Sequence, residues 1–128
     1  MADAHYIFKN MASSFCPLLK LGISTMSKAQ VIHKLGPPSA MNWQDWHVPD
    51  PAPGEVRLRH TAVGVNFADT YHRGGISHPW LVPPCPVVIG FEGVGTVEGV
   101  GASVNNFKTG DRVAYGIPPL GSYSEVRN

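Results

Sequence analysis

Fourteen glycines and twelve prolines are spread through 128 residues, roughly a fifth of the chain against a typical ~12%. That density rules out long uninterrupted helices. Proline removes a backbone donor and fixes φ, and glycine weakens a helix by about 1 kcal/mol relative to alanine. At 43% apolar residues the chain still has the material for a core. The combination reads as many short strands joined by tight turns. The length fits one domain of ~100–200 residues.

Ten Lys+Arg against nine Asp+Glu leave a formal charge of +1. No long-range field follows, so nucleic acid and membrane surfaces are not expected partners. No apolar run approaches the ~18 residues of a membrane span. Asp3 lies near the start and Lys20 follows Phe15–Leu19, which argues against a signal peptide. The first arginine is Arg57, which argues against a mitochondrial presequence. Cys16 and Cys85 are too few for a disulfide framework, and each precedes a proline. Reduced thiols and a cytoplasmic location are the expectation.

Along the chain, residues 1–26 show neither clean alternation nor a helical period, and read as an extension without fixed structure. The domain proper is expected over 27–128. Strands are expected at Ala29–His33, Met41–Trp46 and Glu55–Val65, where Val56 and Leu58 alternate with Arg57 and Arg59. Asn66 is a good N-cap, Asp69 follows three residues on, and Gly74-Gly75 ends a two-turn helix. The glycine-spaced run Val87–Val100 suits a bent barrel strand. Arg112–Tyr115 and Gly121–Arg127 are the last strands expected.

Most chemical motifs are missing or incomplete. The six histidines and two cysteines include no CxxC pair and no HExxH. Gly99-Val100-Gly101 begins like a dinucleotide loop, but Val104 stands where its last glycine belongs and no helical pattern follows. It reads as a turn between strands. Cys85 lies between two prolines without an adjacent base and reads as structural. Asn66, Asp69 and Thr70 share one face of the short helix. On the residues alone, a capping pair is the simpler reading of Asn66 and Asp69.

The segment Gly64-Val65-Asn66-Phe67-Ala68-Asp69-Thr70-Tyr71-His72-Arg73-Gly74-Gly75 resembles NAD(P)H:quinone oxidoreductases, zinc-independent members of the medium-chain dehydrogenase/reductase superfamily. Further similarities follow in order: Gly90-Phe91-Glu92-Gly93-Val94-Gly95, Val97-Glu98-Gly99-Val100-Gly101, Lys108-Thr109-Gly110-Asp111-Arg112-Val113 and Leu120-Gly121-Ser122-Tyr123-Ser124. Ordered co-occurrence is more specific than any single motif.

The resemblance implies a mainly β, GroES-like, partly open barrel with one short helix. It also implies that a Rossmann domain would follow, so that 27–128 reads as a truncated catalytic domain. Zinc-dependent relatives carry Cys at the position of Asn66 and His at that of Phe91. Neither an amide nor a phenyl ring replaces those ligands, so no zinc is expected.

The implied activity is hydride transfer from NADPH to a quinone-type acceptor, with an enone or enoyl compound as the alternative. The implied catalytic residues are Tyr71 and Asn66. Asn66, Tyr71 and Asp69 would border the cofactor, Asp69 chiefly as a helix cap. Ser77-His78-Pro79-Trp80 stands where some relatives place an aromatic, which bears on acceptor size. The chain alone is expected to be inactive, and a fuller form to be a homodimer. The competing readings are a non-catalytic GroES-like assembly module and a nonfunctional truncation product. Truncation would expose apolar surface and leave Ser122–Arg127 as a raw sheet edge.

Overall fold

The computed structural model describes residues 24–75 and 83–128. Cys16 and most of the expected extension lie outside these residues, as do Ser77-His78-Pro79-Trp80.

Seven strands and one helix follow each other in the order β1 (Thr25–Ile32), β2 (Met41–Val48), β3 (Val56–Val63), α1 (Phe67–Gly74), β4 (Val87–Val88), β5 (Gly93–Val100), β6 (Arg112–Tyr115) and β7 (Val126–Arg127). They form two antiparallel sheets, ordered β2-β1-β4 and β6-β5-β3-β7. The mainly β, GroES-like expectation is met.

In β1, alternation buries Ser27, Ala29 and Val31 on one face. Ala29, Val31 and Val88 form the core cluster, and Trp46 and Tyr123 pack against it. In β3 the register shifts between Arg57 and Leu58 and again between His60 and Ala62, where the alternation is already irregular in the sequence. Arg57 is buried on β3 and binds Thr25 Oγ1 at 3.0 Å, Asn128 Oδ1 at 3.3 Å and the Pro49 carbonyl. One guanidinium thus ties together the start of β1, the loop after β2 and the residue after β7.

Three expectations need correction. The first strand starts earlier than the expected Ala29, because Thr25 and Met26 already pair with Val48 and His47. The run Val87–Val100 is two strands in different sheets, β4 beside β1 and β5 beside β3. The break falls at Gly90, whose φ of 85° turns the chain from one sheet to the other.

The third concerns residues 121–127. Only Val126–Arg127 forms a strand with β3, and the residues before it serve as a seam. The Gln30 N–H donates to the Tyr123 carbonyl at 2.7 Å, and the Glu125 N–H to the Lys28 carbonyl at 2.9 Å. On the other side, the His60 N–H donates to the Glu125 carbonyl at 2.8 Å. Residues 123–125 are therefore hydrogen-bonded to β1 and β3, whereas β7 itself is the edge strand of its sheet.

Candidate functional site

The site is built on the first turn of α1. Asn66 has extended backbone angles, φ −124° and ψ 152°, as an N-cap requires. Its N–H donates to Asp69 Oδ2 at 2.8 Å, and the Asp69 N–H donates to the Asn66 carbonyl at 3.1 Å. The capping role expected of Asp69 is thus visible directly. Gly75, at φ 67°, closes the helix with its N–H on the Tyr71 carbonyl.

Asp69 does more than cap. The Tyr123 hydroxyl donates to the same Oδ2 at 2.7 Å. Burial and the neighbouring Asp69 carboxylate push the Tyr123 phenol well above its usual value. It is therefore a donor throughout the physiological range. Nothing local in the sequence marks Tyr123 as a site residue, since Gly121-Ser122-Tyr123-Ser124 carries the family resemblance only as a strand motif.

Several buried polar atoms around this turn have no partner among the described residues: Asn66 Nδ2, Asp69 Oδ1, His72 Nδ1 and Ser122 Oγ. Unpaired buried polar groups are costly and mark either bound water or a functional demand. Asn66 Nδ2 is thus a buried donor without a partner among the described residues. Thr70 does not join this group, since its hydroxyl donates to the Phe67 carbonyl at 2.6 Å. Phe91 packs edge-on against His72, with ring centroids 6.0 Å apart. No group of three or more His, Cys, Asp or Glu is arranged to hold a metal among the described residues.

Tyr71 occupies the second turn of α1, 38% exposed, with its ring edge-on to Phe67 at 5.3 Å. No hydrogen bond among the described residues joins it to Asn66, the N-cap of the same helix. Around them Val65 is 81% and Phe67 75% exposed, an unusual degree for large apolar side chains. A groove of about 580 Å³ opens beside the cap, walled by Trp43, His60, Val63, Val65 and Tyr123 among others. Asn66, Asp69 and Tyr71 are not among its walls.

A second polar pair lies across β3. His60 Nδ1 is 2.7 Å from the Ser124 carbonyl, which can only accept, so Nδ1 carries the proton. Nε2 then accepts from the Tyr115 hydroxyl at 2.7 Å. Burial, and to a lesser extent the Arg127 charge, hold His60 below its usual value of 6.5 although the Ser124 bond opposes them.

The glycine turn is structural. The Gly101 N–H donates to the Glu55 carbonyl and the Gly54 N–H to the Ala102 carbonyl, both at 2.8 Å. The Ala52 carbonyl occupies the space a Gly101 Cβ would need. No helix follows, so the turn lacks the geometry of a phosphate loop.

With this geometry the chain can be placed among known proteins. Residues 52–126 match the alcohol dehydrogenase GroES-like domain, and the chain belongs to that family. It is 53% identical over 102 residues to a 2-haloacrylate reductase of a Burkholderia species and 45% identical over 101 residues to a quinone oxidoreductase of Pseudomonas aeruginosa. These matches take in 80% and 79% of the chain but only 31% and 30% of the relatives. The fold matches the Escherichia coli quinone oxidoreductase complexed with NADPH with a TM-score of 0.71 and 38% identity, over 77% of this chain and 29% of that one. The relatives are thus oxidoreductases of the medium-chain dehydrogenase/reductase superfamily. No helix among the described residues is long and apolar enough to cross a membrane.

Proposed function

We propose that this chain supplies the acceptor side of an NADPH-dependent reductase acting on quinone-type compounds. The observation that carries this reading is the start of α1, where the buried Asn66 Nδ2 donor has no partner among the described residues and the Tyr71 phenol is exposed on the next turn. A planar carbonyl-bearing ligand needs such donors. The oxidoreductase relatives, one of them in complex with NADPH, support the same reading.

NADPH would supply the hydride. The residues here act around that step. Asn66 orients a carbonyl by donating through Nδ2. Tyr71 donates its phenolic proton toward acceptor oxygen as negative charge develops there. Asp69 borders the cofactor only indirectly, by fixing the cap. The exposed Val65 and Phe67 exclude water once a second surface closes over them. The described residues hold no phosphate-binding turn, so the pyrophosphate needs a further domain. In this reading the chain alone does not turn over, and zinc plays no part.

The 53% identical 2-haloacrylate reductase favours a second acceptor class, a conjugated alkene activated by a carboxylate or carbonyl. The same donors serve it, because the charge again develops on oxygen.

The test is NADPH oxidation followed at 340 nm, with 1,4-naphthoquinone and 2-chloroacrylate as alternative acceptors. It compares the 128-residue chain with a form fused to a nucleotide-binding domain. The expected result is a buffer-level rate for the chain and acceptor-dependent oxidation by the fused form. No oxidation by the fused form with either acceptor contradicts the proposal.

A further inference from the structure

We propose that the Tyr123 hydroxyl is the positioning group that holds Asn66 in its working orientation, acting through the Asp69 carboxylate. This deepens the reductase reading and rests on it for the role of Asn66.

The two oxygens of a carboxylate are equivalent, and rotation about the Cβ–Cγ bond exchanges them. Asp69 Oδ2 bonds the Asn66 N–H, whereas Oδ1 is buried with no partner among the described residues. The reciprocal bond from the Asp69 N–H to the Asn66 carbonyl ties the backbone, but the carboxylate would be held by the Asn66 N–H alone and would be free to twist. The Tyr123 hydroxyl, on the same Oδ2 at 2.7 Å, fixes the rotation. Two donors converging on one charged oxygen make strong, directional bonds.

The phenol is itself delivered rigidly. The Tyr123 N–H donates to the Ile89 carbonyl at 3.0 Å, and its carbonyl accepts from Gln30 at 2.7 Å. A Cβ on Gly90 would strike the Tyr123 ring and the Ser122 hydroxyl, so the seam packs closely there. The first turn of α1 is thereby referenced to β1 and to the chain just after β4 rather than to its own loop. Thr70 gives no alternative anchor, since its hydroxyl is spent on Phe67. The raised phenol value agrees with this role, because a proton that stays on Tyr123 keeps the donor in place.

Tyr123→Phe removes the hydroxyl and leaves the ring. Tyr115→Phe is the control, since it deletes another hydrogen-bonded phenol in the same sheet region. Amide hydrogen exchange of the 128-residue chain is the first readout. The Asn66 amide should exchange roughly tenfold faster in Tyr123→Phe, as loss of a bond to a charged group implies. It should not change in Tyr115→Phe, and the Gly75 amide should not change in either. An unchanged Asn66 amide, or equal acceleration of all amides, overturns the proposal.

The second readout is steady-state kinetics of the fused form. Tyr123→Phe should lower kcat several-fold at nearly constant KM for NADPH, and an unchanged kcat in an active enzyme also overturns it. If the wild-type fused form reduces neither acceptor, the reductase reading has failed by itself. The exchange data then still decide whether Tyr123 holds the cap.

Discussion

The Tyr123 hydroxyl and the Asn66 backbone N–H meet on one oxygen, Oδ2 of Asp69, at 2.7 and 2.8 Å. Fifty-odd residues of chain separate the tyrosine from the helix it steadies. The contact exists because the seam of residues 121–125 runs between the two sheets and passes the first turn of α1.

A consequence is readable at alkaline pH. The Tyr123 phenol is raised above the ordinary value of 10.0, first by burial and then by Asp69. Protonation is thus favoured in the folded state. The associated stability is fully present below pH 10 and is lost as pH climbs toward the folded value. In a spectrophotometric titration at 295 nm, Tyr123→Phe should remove only the most alkaline component of the absorbance rise. Loss of an earlier component in the variant would contradict this.

His60 gives the opposite window. Its value is lowered from 6.5, chiefly by burial, so the unfolded chain binds the proton more readily. Stability from the neutral ring is complete above pH 6.5 and falls as pH drops toward the folded value. His60→Gln should lower stability at pH 7.5, because the bonds to Ser124 and Tyr115 are weakened. It should also flatten the dependence between pH 5 and 6.5 in urea unfolding. An unchanged slope would mean that another group sets it.

The glycine turn separates packing from ligand binding. Gly101 has the Ala52 carbonyl against its α-carbon, whereas a Cβ on Gly99 meets only ordinary neighbours at 3.8 Å. Gly101→Ala should cost about 1–3 kcal/mol by overpacking. Gly99→Ala should be neutral or stabilise by about 0.4–1 kcal/mol. Thermal unfolding of the two variants measures the difference. Equal unfolding temperatures would contradict the packing account.

The core offers a simple calibration. Ile32 is fully buried at the end of β1, so Ile32→Ala should cost about 2–5 kcal/mol. A loss under 1 kcal/mol in denaturant titration would mean that this layer collapses freely around the deletion.

Much of this architecture is legible in the amino-acid sequence, because short-range physics wrote it. Asn66, Asp69 and the glycine pair mark both ends of α1, and Arg112–Tyr115 is found as read. What was not legible is long-range. Nothing local marks Tyr123 as a partner of Asp69, or His60 as a partner of Tyr115. Val87–Val100 reads as one strand because its apolar character is continuous, and only tertiary pairing divides it at Gly90. The seam reads as a strand for a related reason: alternation signals extended chain but not how many sheets it serves. Tyr71 and Asn66 stand out only through family likeness, and the structure puts them on one short helix with no hydrogen bond between them among the described residues.

In the proposed reductase the first two turns of α1 face the reacting acceptor. The steady-state rate of NADPH oxidation by the fused form and by its Tyr71→Phe variant, with 1,4-naphthoquinone as acceptor, decides this. Tyr71 is a partly exposed helix residue, so the substitution should leave the fold intact. The expected result is a kcat lower by about 100-fold, the scale of losing one donor to a developing oxyanion, with KM for NADPH unchanged. An unchanged kcat would contradict the account and return Tyr71 to the helix surface.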